Sequence, residues 1–278
     1  MNRRKRRSVE ERSAGLFVFS LLFCALSCFA LAFLFGRAEP TKQEEKTPEF
    51  AAELPQAQKL SETPFLGKTA DAGLAYQDRL TFFGESTTAH LKSRGVLSGG
   101  TATNQVLAVE SGTKRLSPRL PYESVIDPES GDSISLAELL SKQKPEVLVL
   151  SFGLNGIYEY AKEPDGFVRD YNALIDSIRV SSPATVLLLQ SIYPVAKDSE
   201  RFSNPEEVNR DIALLNARLP EIAASHKKVF CVDTASVLKD ADGSLKKAFD
   251  NGDGYHLTAS AYREILTYLR THAWEDML

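Results

Sequence analysis

Two segments of the 278-residue chain hold side chains of the types that nucleophilic catalysis requires. Ser86 lies in FFGESTTAH, where it follows a short apolar run and opens a segment with helical spacing. Asp253 and His256 lie three residues apart in FDNGDGYHLTASAY, near the C-terminus. A serine hydroxyl becomes an effective nucleophile when an imidazole takes its proton and a carboxylate fixes the imidazole's tautomer. These residue types therefore indicate acyl-transfer chemistry.

A third segment, VLSFGLNGI, places Asn155 between two glycines just after an apolar run. Its side-chain amide can donate a hydrogen bond to the oxyanion that forms during acyl transfer. Each segment alone also has a simpler explanation. Ser86 would cap a helix, Asn155 would occupy a turn, and the NGDG around Asp253 would form a turn as well. Of the four histidines, only His256 combines a nearby aspartate, a loop at a strand end and a following helix.

The elements that must position these residues can be read from the apolar pattern. Short, nearly continuous apolar runs are typical of strands in a parallel sheet that is covered on both faces. The predicted strands are LTFFG (80–84), QVLAVE (105–110), EVLVLSFG (146–153), TVLLLQSI (185–192) and KVFCVD (228–233).

Segments with helical periodicity alternate with these strands. Their apolar stripes are Phe167, Tyr171, Leu174, Ile175 and Ile178; then Val208, Ile212, Leu215, Leu219 and Ile222; then Tyr262, Ile265, Leu266 and Leu269. Pro220 is expected to kink or divide the second helix, and Thr258 to cap the last one. Helices between strands predict an α/β fold, a three-layer α/β/α, flavodoxin-like, doubly wound parallel sheet. In such a sheet the functional residues gather at the carboxyl ends of the strands.

Taken in order, these segments resemble the SGNH/GDSL hydrolase family of esterases and lipases, including acetylesterases. The matching blocks are Gly84-Glu85-Ser86, a glycine after the second strand, Gly153-Leu154-Asn155, and Asp253-Gly254-Tyr255-His256, and the resemblance covers about residues 78–272.

This resemblance implies a role for each matching residue. Ser86 would be the nucleophile and, through its backbone N–H, an oxyanion donor. Asn155 would donate to the oxyanion from its side chain. His256 would act as general base and then as acid toward the leaving alcohol, while Asp253 orients it.

Two positions depart from the family pattern. Glu85 stands where the family usually has aspartate, and because that position is not a triad member we expect a local adjustment without loss of activity. The oxyanion glycine of the second block is assigned to Gly112, in VESGTKR after the second strand. Gly99 and Gly100 are the alternatives, although they precede that strand.

The N-terminus predicts a membrane anchor. A basic head (residues 1–13) precedes residues 14–36, which hold no charged residue and as a helix would measure about 34 Å, enough to cross a bilayer core of about 30 Å. The basic flank predicts a cytoplasmic N-terminus and an extracytoplasmic remainder. Cleavage near Ala38 and lipidation at Cys28 are the alternatives. Residues 37–65 are predicted to be a flexible linker, and residues 66–278 the hydrolase domain.

Composition excludes several classes of function. Cys24 and Cys28 lie in the predicted span, so Cys231 alone can form neither a disulfide nor a cysteine metal site within the outer domain. No metal or organic cofactor is expected. The first twelve residues hold six of the 33 basic and two of the 37 acidic residues, so the rest has a net charge of −8. Such an acidic domain argues against nucleic acid as a partner.

The resulting prediction is a membrane-anchored, extracytoplasmic serine esterase. The resemblance implies small acyl esters as substrates, above all acetyl esters of carbohydrate, and an outward-facing tethered domain suits cell-wall or exported glycans. Two alternatives remain open: an O-acyltransferase that uses the same triad on a glycan, and a catalytically inactive glycan-binding domain.

Overall fold

The computed structural model of the protein describes residues 63–108, 114–274 and 276, which all lie in one compact unit. Its elements in chain order are α1 (Gly73–Gln77), β1 (Leu80–Gly84), α2 (Ser86–Ser93), β2 (Ser124–Ile126), β3 (Ser133–Ser135), α3 (Leu136–Gln143), β4 (Val147–Ser151), α4 (Ile157–Lys162), α5 (Pro164–Ser181), β5 (Val186–Gln190), α6 (Pro205–Asn216), α7 (Leu219–Ala224), β6 (Val229–Val232) and α8 (Ala259–Arg270). Short 3-10 helices lie at Gly100–Ala102, Leu120–Tyr122 and Lys247–Phe249.

A parallel sheet with the spatial order β1-β4-β5-β6 forms the centre of this unit. Four of the five predicted strands are present. The predicted second strand pairs with the free side of β1 only through a parallel bridge between Val106 and Phe82, and residues 109–110 lie outside the described residues. Counting this bridge, the order along the sheet is that of a flavodoxin-like fold. The predicted α/β fold with a parallel sheet is therefore confirmed.

Alternate side chains of each strand enter two separate cores, one on each face of the sheet. On one face, Phe83, Leu150 and Leu189 pack against α3 to α7. On the other, Phe82, Val149 and Leu188 pack against α1, α2 and α8. This three-layer arrangement explains why the strands read as continuous apolar runs, since both of their faces are buried.

The predicted helical stripes are buried as expected from their spacing. Pro220 divides the second predicted helix into α6 and α7, which confirms its expected effect. The side chain of Thr258 caps α8 by accepting a hydrogen bond from the backbone N–H of Ala261, which confirms the predicted cap.

The opposite edge of the sheet is covered by the start of the described chain. Phe65 forms a parallel bridge with Cys231. The backbone N–H of Cys231 donates to Pro64 O at 2.8 Å, and that of Leu66 donates to Cys231 O at 3.0 Å. The last residues of the predicted linker thus pair with β6.

The predicted head, the 14–36 span and residues 37–62 of the linker lie outside the described residues. Among the residues that the structure does describe, none of the helices has both the length and the apolar character needed to cross a bilayer.

Candidate active site

Ser86, His256 and Asp253 form a chain of hydrogen bonds at the carboxyl end of the sheet. Ser86 Oγ lies 2.9 Å from His256 Nε2, and His256 Nδ1 lies 2.7 Å from Asp253 Oδ2. When Nδ1–H donates to the carboxylate, Nε2 is left to accept the serine proton. Residues 170 positions apart in sequence therefore form a connected path for one proton.

Ser86 is not the cap of its helix, although the sequence allowed that explanation. The cap position of α2 is Glu85, whose backbone is extended, and Ser86 is the first helical residue. Its side chain contacts His256 instead of a backbone N–H of α2. Its own backbone N–H lies in the first turn of α2, where helical N–H groups have no partner within the helix and favour negative charge.

Gly84 lets β1 approach β4 closely just before the serine. A Cβ atom at this position would lie 2.5 Å from Ser151 O and closer still to Thr88 Oγ1. Any larger residue would therefore push α2, and Ser86 with it, away from the sheet.

The carboxylates of Asp250 and Asp253 fix the loop that holds the triad aspartate, by accepting hydrogen bonds from its backbone. Asp250 Oδ1 accepts hydrogen bonds from the backbone N–H groups of Gly252 and Gly254, at 2.9 and 2.8 Å. Asp253 Oδ1 accepts from the backbone of His256 at 2.9 Å. Burial raises the pKa of Asp253, but the hydrogen bonds from His256 and from the Tyr255 backbone outweigh it, so the pKa lies below its usual range. Asp253 is therefore ionised, as a partner of imidazolium must be.

Glu85 connects the serine segment to the Asn155 loop. Its carboxylate is 3% exposed and accepts hydrogen bonds from the backbone N–H groups of Gly153, at 2.9 Å, and Asn155, at 3.0 and 3.1 Å. Burial raises the pKa of Glu85 to about 7, against the opposing effect of these N–H groups, that of Leu154 and the Arg115 guanidinium. The residue that departs from the family pattern thus holds two of its blocks together.

The side-chain amide of Asn155 donates to the backbone carbonyl of Lys114 at 3.0 Å. Gly153 and Gly156 on either side have φ values of +131° and +116°. Residues other than glycine rarely adopt such values, so the sharp turn of this loop depends on both glycines. The oxyanion role of Asn155 remains a prediction.

The second-block glycine stays undecided. Gly112 lies outside the described residues, two positions before the Lys114 that Asn155 contacts. Gly99 and Gly100 lie at the start of the 3-10 helix that follows α2.

His90 is a neighbour of the triad that the sequence argument passed over. Its ring centroid lies 4.4 Å from that of His256. The signal was available, since residues four apart on a helix share a face and His90 follows Ser86 by four. His90 packs beside the imidazole from the serine's own helix.

The described residues include no cluster of three or more His, Cys, Asp or Glu side chains that could hold a metal ion. Two surface cavities, of about 520 and 300 Å³, are lined by residues of α5 and its neighbours and include no triad residue.

The model of the GDSL-like lipase/acylhydrolase family matches residues 82–264, which include the serine, the Asn155 loop and the Asp253/His256 pair. The chain belongs to this family. The predicted resemblance is confirmed, and so is the prediction of an ester hydrolase, since this is a family of esterases and acylhydrolases.

Solved structures with a similar fold include three with identities below 20%. A candidate SGNH hydrolase from Slackia heliotrinireducens is 16% identical with a TM-score of 0.48, and the match covers 69% of this chain and 96% of that one. A family 3 carbohydrate esterase from Clostridium thermocellum is 18% identical with a TM-score of 0.40, covering 69% and 93%. One from Talaromyces cellulolyticus is 13% identical with a TM-score of 0.44, covering 69% and 93%. Among curated proteins, none matches the sequence significantly.

Proposed function

We propose that this GDSL-like acylhydrolase is a serine esterase that removes small acyl groups, acetyl above all, from carbohydrate outside the cytoplasmic membrane. The observation that carries the proposal is the hydrogen-bonded chain from Ser86 through His256 to Asp253. A serine, an imidazole and an ionised carboxylate in this order form the minimal arrangement for covalent ester hydrolysis.

In the proposed reaction, Ser86 Oγ attacks the ester carbonyl while His256 Nε2 takes its proton. The carbonyl oxygen becomes an oxyanion, which accepts hydrogen bonds from the backbone N–H of Ser86 and, as predicted, from Asn155 and Gly112. Ionised Asp253 stabilises the imidazolium. His256 then gives its proton to the leaving alcohol oxygen, and an acyl-serine remains. Water attacks this ester with His256 again as base, and the acid leaves as Ser86 recovers its proton.

The substrate and location are proposed from separate features. The apolar, uncharged 14–36 segment with its basic flank supports a single membrane span with the hydrolase domain outside. A tethered, acidic, outward-facing esterase suits acylated glycans of the cell wall or exported polymers. The small acyl group is inferred from the family resemblance.

The test is hydrolysis of p-nitrophenyl acetate by the purified full-length chain. Wild type should release p-nitrophenol, and Ser86→Ala and His256→Ala should each lose activity by several orders of magnitude. Residual activity of Ser86→Ala close to wild type would refute the triad. A wild-type chain that hydrolyses none of a range of esters would favour a glycan-binding domain instead. Faster transfer to an added glycan than to water would identify an acyltransferase.

A further inference from the structure

A row of three aromatic side chains begins at the triad histidine. The ring of Tyr255 lies 3.9 Å from that of His256, centroid to centroid. Phe202 meets Tyr255 edge to face at 6.0 Å, and Tyr158 meets Phe202 in the same way at 6.4 Å. Each ring lies close enough to the next for aromatic rings to attract one another, so the rings form a connected row.

The three rings come from three different segments of the chain. Tyr255 belongs to the loop of Asp253 and His256, and Phe202 to the connection between β5 and α6. Tyr158 lies in the first turn of α4, three residues after Asn155. The row therefore connects the loop that holds the base to the helical turn that follows the predicted oxyanion donor.

Exposure changes along the row. Phe202 is only 9% exposed and supports its neighbours, whereas Tyr158, at the outer end, is 44% exposed. The large apolar or aromatic side chains that are exposed in the described part of the chain are Leu74, Tyr122, Ile126, Tyr158, Val180 and Leu214. Of these, Tyr158 is the one that aromatic contacts connect to the triad. Tyr158 thus presents an aromatic ring to solvent at the outer end of the row, where a ligand can pack on it.

Charged side chains lie beside the row or next to it in sequence. The Arg201 guanidinium lies 5.8 Å from the centre of the Phe202 ring. Glu159, next to Tyr158, pairs with Arg115 at 3.6 Å. A pyranose ring has a C–H face that packs on an aromatic ring and a rim of hydroxyls that hydrogen-bond to such charged groups. A long acyl chain has no hydroxyl rim and would gain no hydrogen bond from these charged groups.

We propose that Tyr158, supported by Phe202 and Tyr255, is a subsite that binds a sugar ring of the acylated substrate next to the triad. This inference rests on the proposed esterase function and specifies its alcohol side: the ester oxygen belongs to a glycan whose neighbouring ring stacks on Tyr158. The subsite selects among esters and takes no part in the chemistry.

The test compares esters that differ in their alcohol and acyl parts. The full-length wild-type chain and Tyr158→Ala are assayed on p-nitrophenyl acetate, on p-nitrophenyl octanoate, and on three O-acetylated glycans: xylo-oligosaccharides, chito-oligosaccharides and peptidoglycan fragments. Tyr158→Ala should lower kcat/KM on the preferred glycan by about tenfold more than on p-nitrophenyl acetate, mainly through KM. Tyr158→Phe, which keeps the ring, should restore most of the glycan activity.

Tyr122→Ala is the matched control, because Tyr122 is 75% exposed and has no aromatic contact with the row in the described structure. It should leave all rates unchanged. Equal losses of Tyr158→Ala on all esters would overturn the subsite and assign the ring a supporting role. A selective loss on the octanoate would overturn it in favour of an acyl-chain surface. Wild-type activity on p-nitrophenyl acetate but on none of the glycans would also overturn it, whereas no activity on any ester would refute the esterase itself.

Discussion

Replacing Glu85 with glutamine removes a buried charge while keeping the size of the side chain. In the wild type, the Glu85 carboxyl has a pKa of about 7 in the fold, against an ordinary value of 4.5. The folded state therefore binds a proton more tightly than the unfolded state. Between about pH 4.5 and 7 the unfolded chain releases this proton while the folded chain keeps it. Raising the pH over this range therefore favours the unfolded chain and lowers the free energy of unfolding.

The size of this effect follows from the two pKa values. One pKa unit corresponds to about 1.4 kcal/mol, so the wild type should lose roughly 3 kcal/mol of stability between pH 4 and pH 8 through Glu85 alone. Roughly 2 kcal/mol of it should be lost between pH 5 and pH 7. The glutamine variant cannot titrate at this position and should lack the whole contribution.

The assay is urea unfolding of a fragment of residues 58–278 at pH 5, 6, 7 and 8, for wild type and Glu85→Gln. Other titrating groups affect both proteins, so the difference between the two unfolding free energies isolates Glu85. The unfolding free energy of the wild type minus that of the variant should decrease as pH rises. Parallel pH curves would mean that Glu85 has the same pKa in the folded and unfolded chain, and would refute the buried-charge argument.

Three more changes test other parts of the site and the core. Asp253→Asn should leave the fold intact and lower kcat on p-nitrophenyl acetate by about 10⁴-fold, as in serine proteases, and a near-normal rate would mean that another group orients the imidazole. Gly84→Ala should destabilise the domain by at least about 2 kcal/mol in urea unfolding, since the new Cβ meets Ser151 O and Thr88 Oγ1. An unchanged midpoint would show that α2 shifts freely. Burial raises the pKa of the Cys231 thiol to about 12, so in the 58–278 fragment Ellman's reagent should label it only after unfolding. Rapid labelling at neutral pH would contradict that burial.

The strands and helices were largely predictable from the apolar pattern. Strands that are buried on both faces give continuous apolar runs, and helices that are buried on one side give apolar stripes. LTFFG predicts the bounds of β1 without error, and the stripes of α5 and α8 are buried. QVLAVE has the composition of a strand, but among its described residues, 105–108, the pairing with β1 is a single bridge at Val106. Apolar composition indicates burial, whereas pairing length depends on neighbours that composition does not reveal.

The site residues also fall into those that the sequence predicts and those that it does not. Ser86, Asp253 and His256 follow from residue types at strand ends, whereas His90 was missed although its helical spacing from Ser86 could have indicated it. Glu85 appeared only as a departure from a pattern, because its partners at Gly153 and Asn155 are 68 and 70 residues away and are backbone groups. The row of Tyr158, Phe202 and Tyr255 could not be predicted either, since three segments that are far apart in sequence must meet to form it.

The pairing of residues 64–66 with β6 also determines at which end of the sheet the described chain begins. Because this segment runs parallel to β6, it enters the sheet from the amino ends of the strands. Ser86 and Asn155 follow the carboxyl ends of β1 and β4, at the opposite end of the sheet. The described chain therefore enters the sheet at one end and places Ser86 at the other.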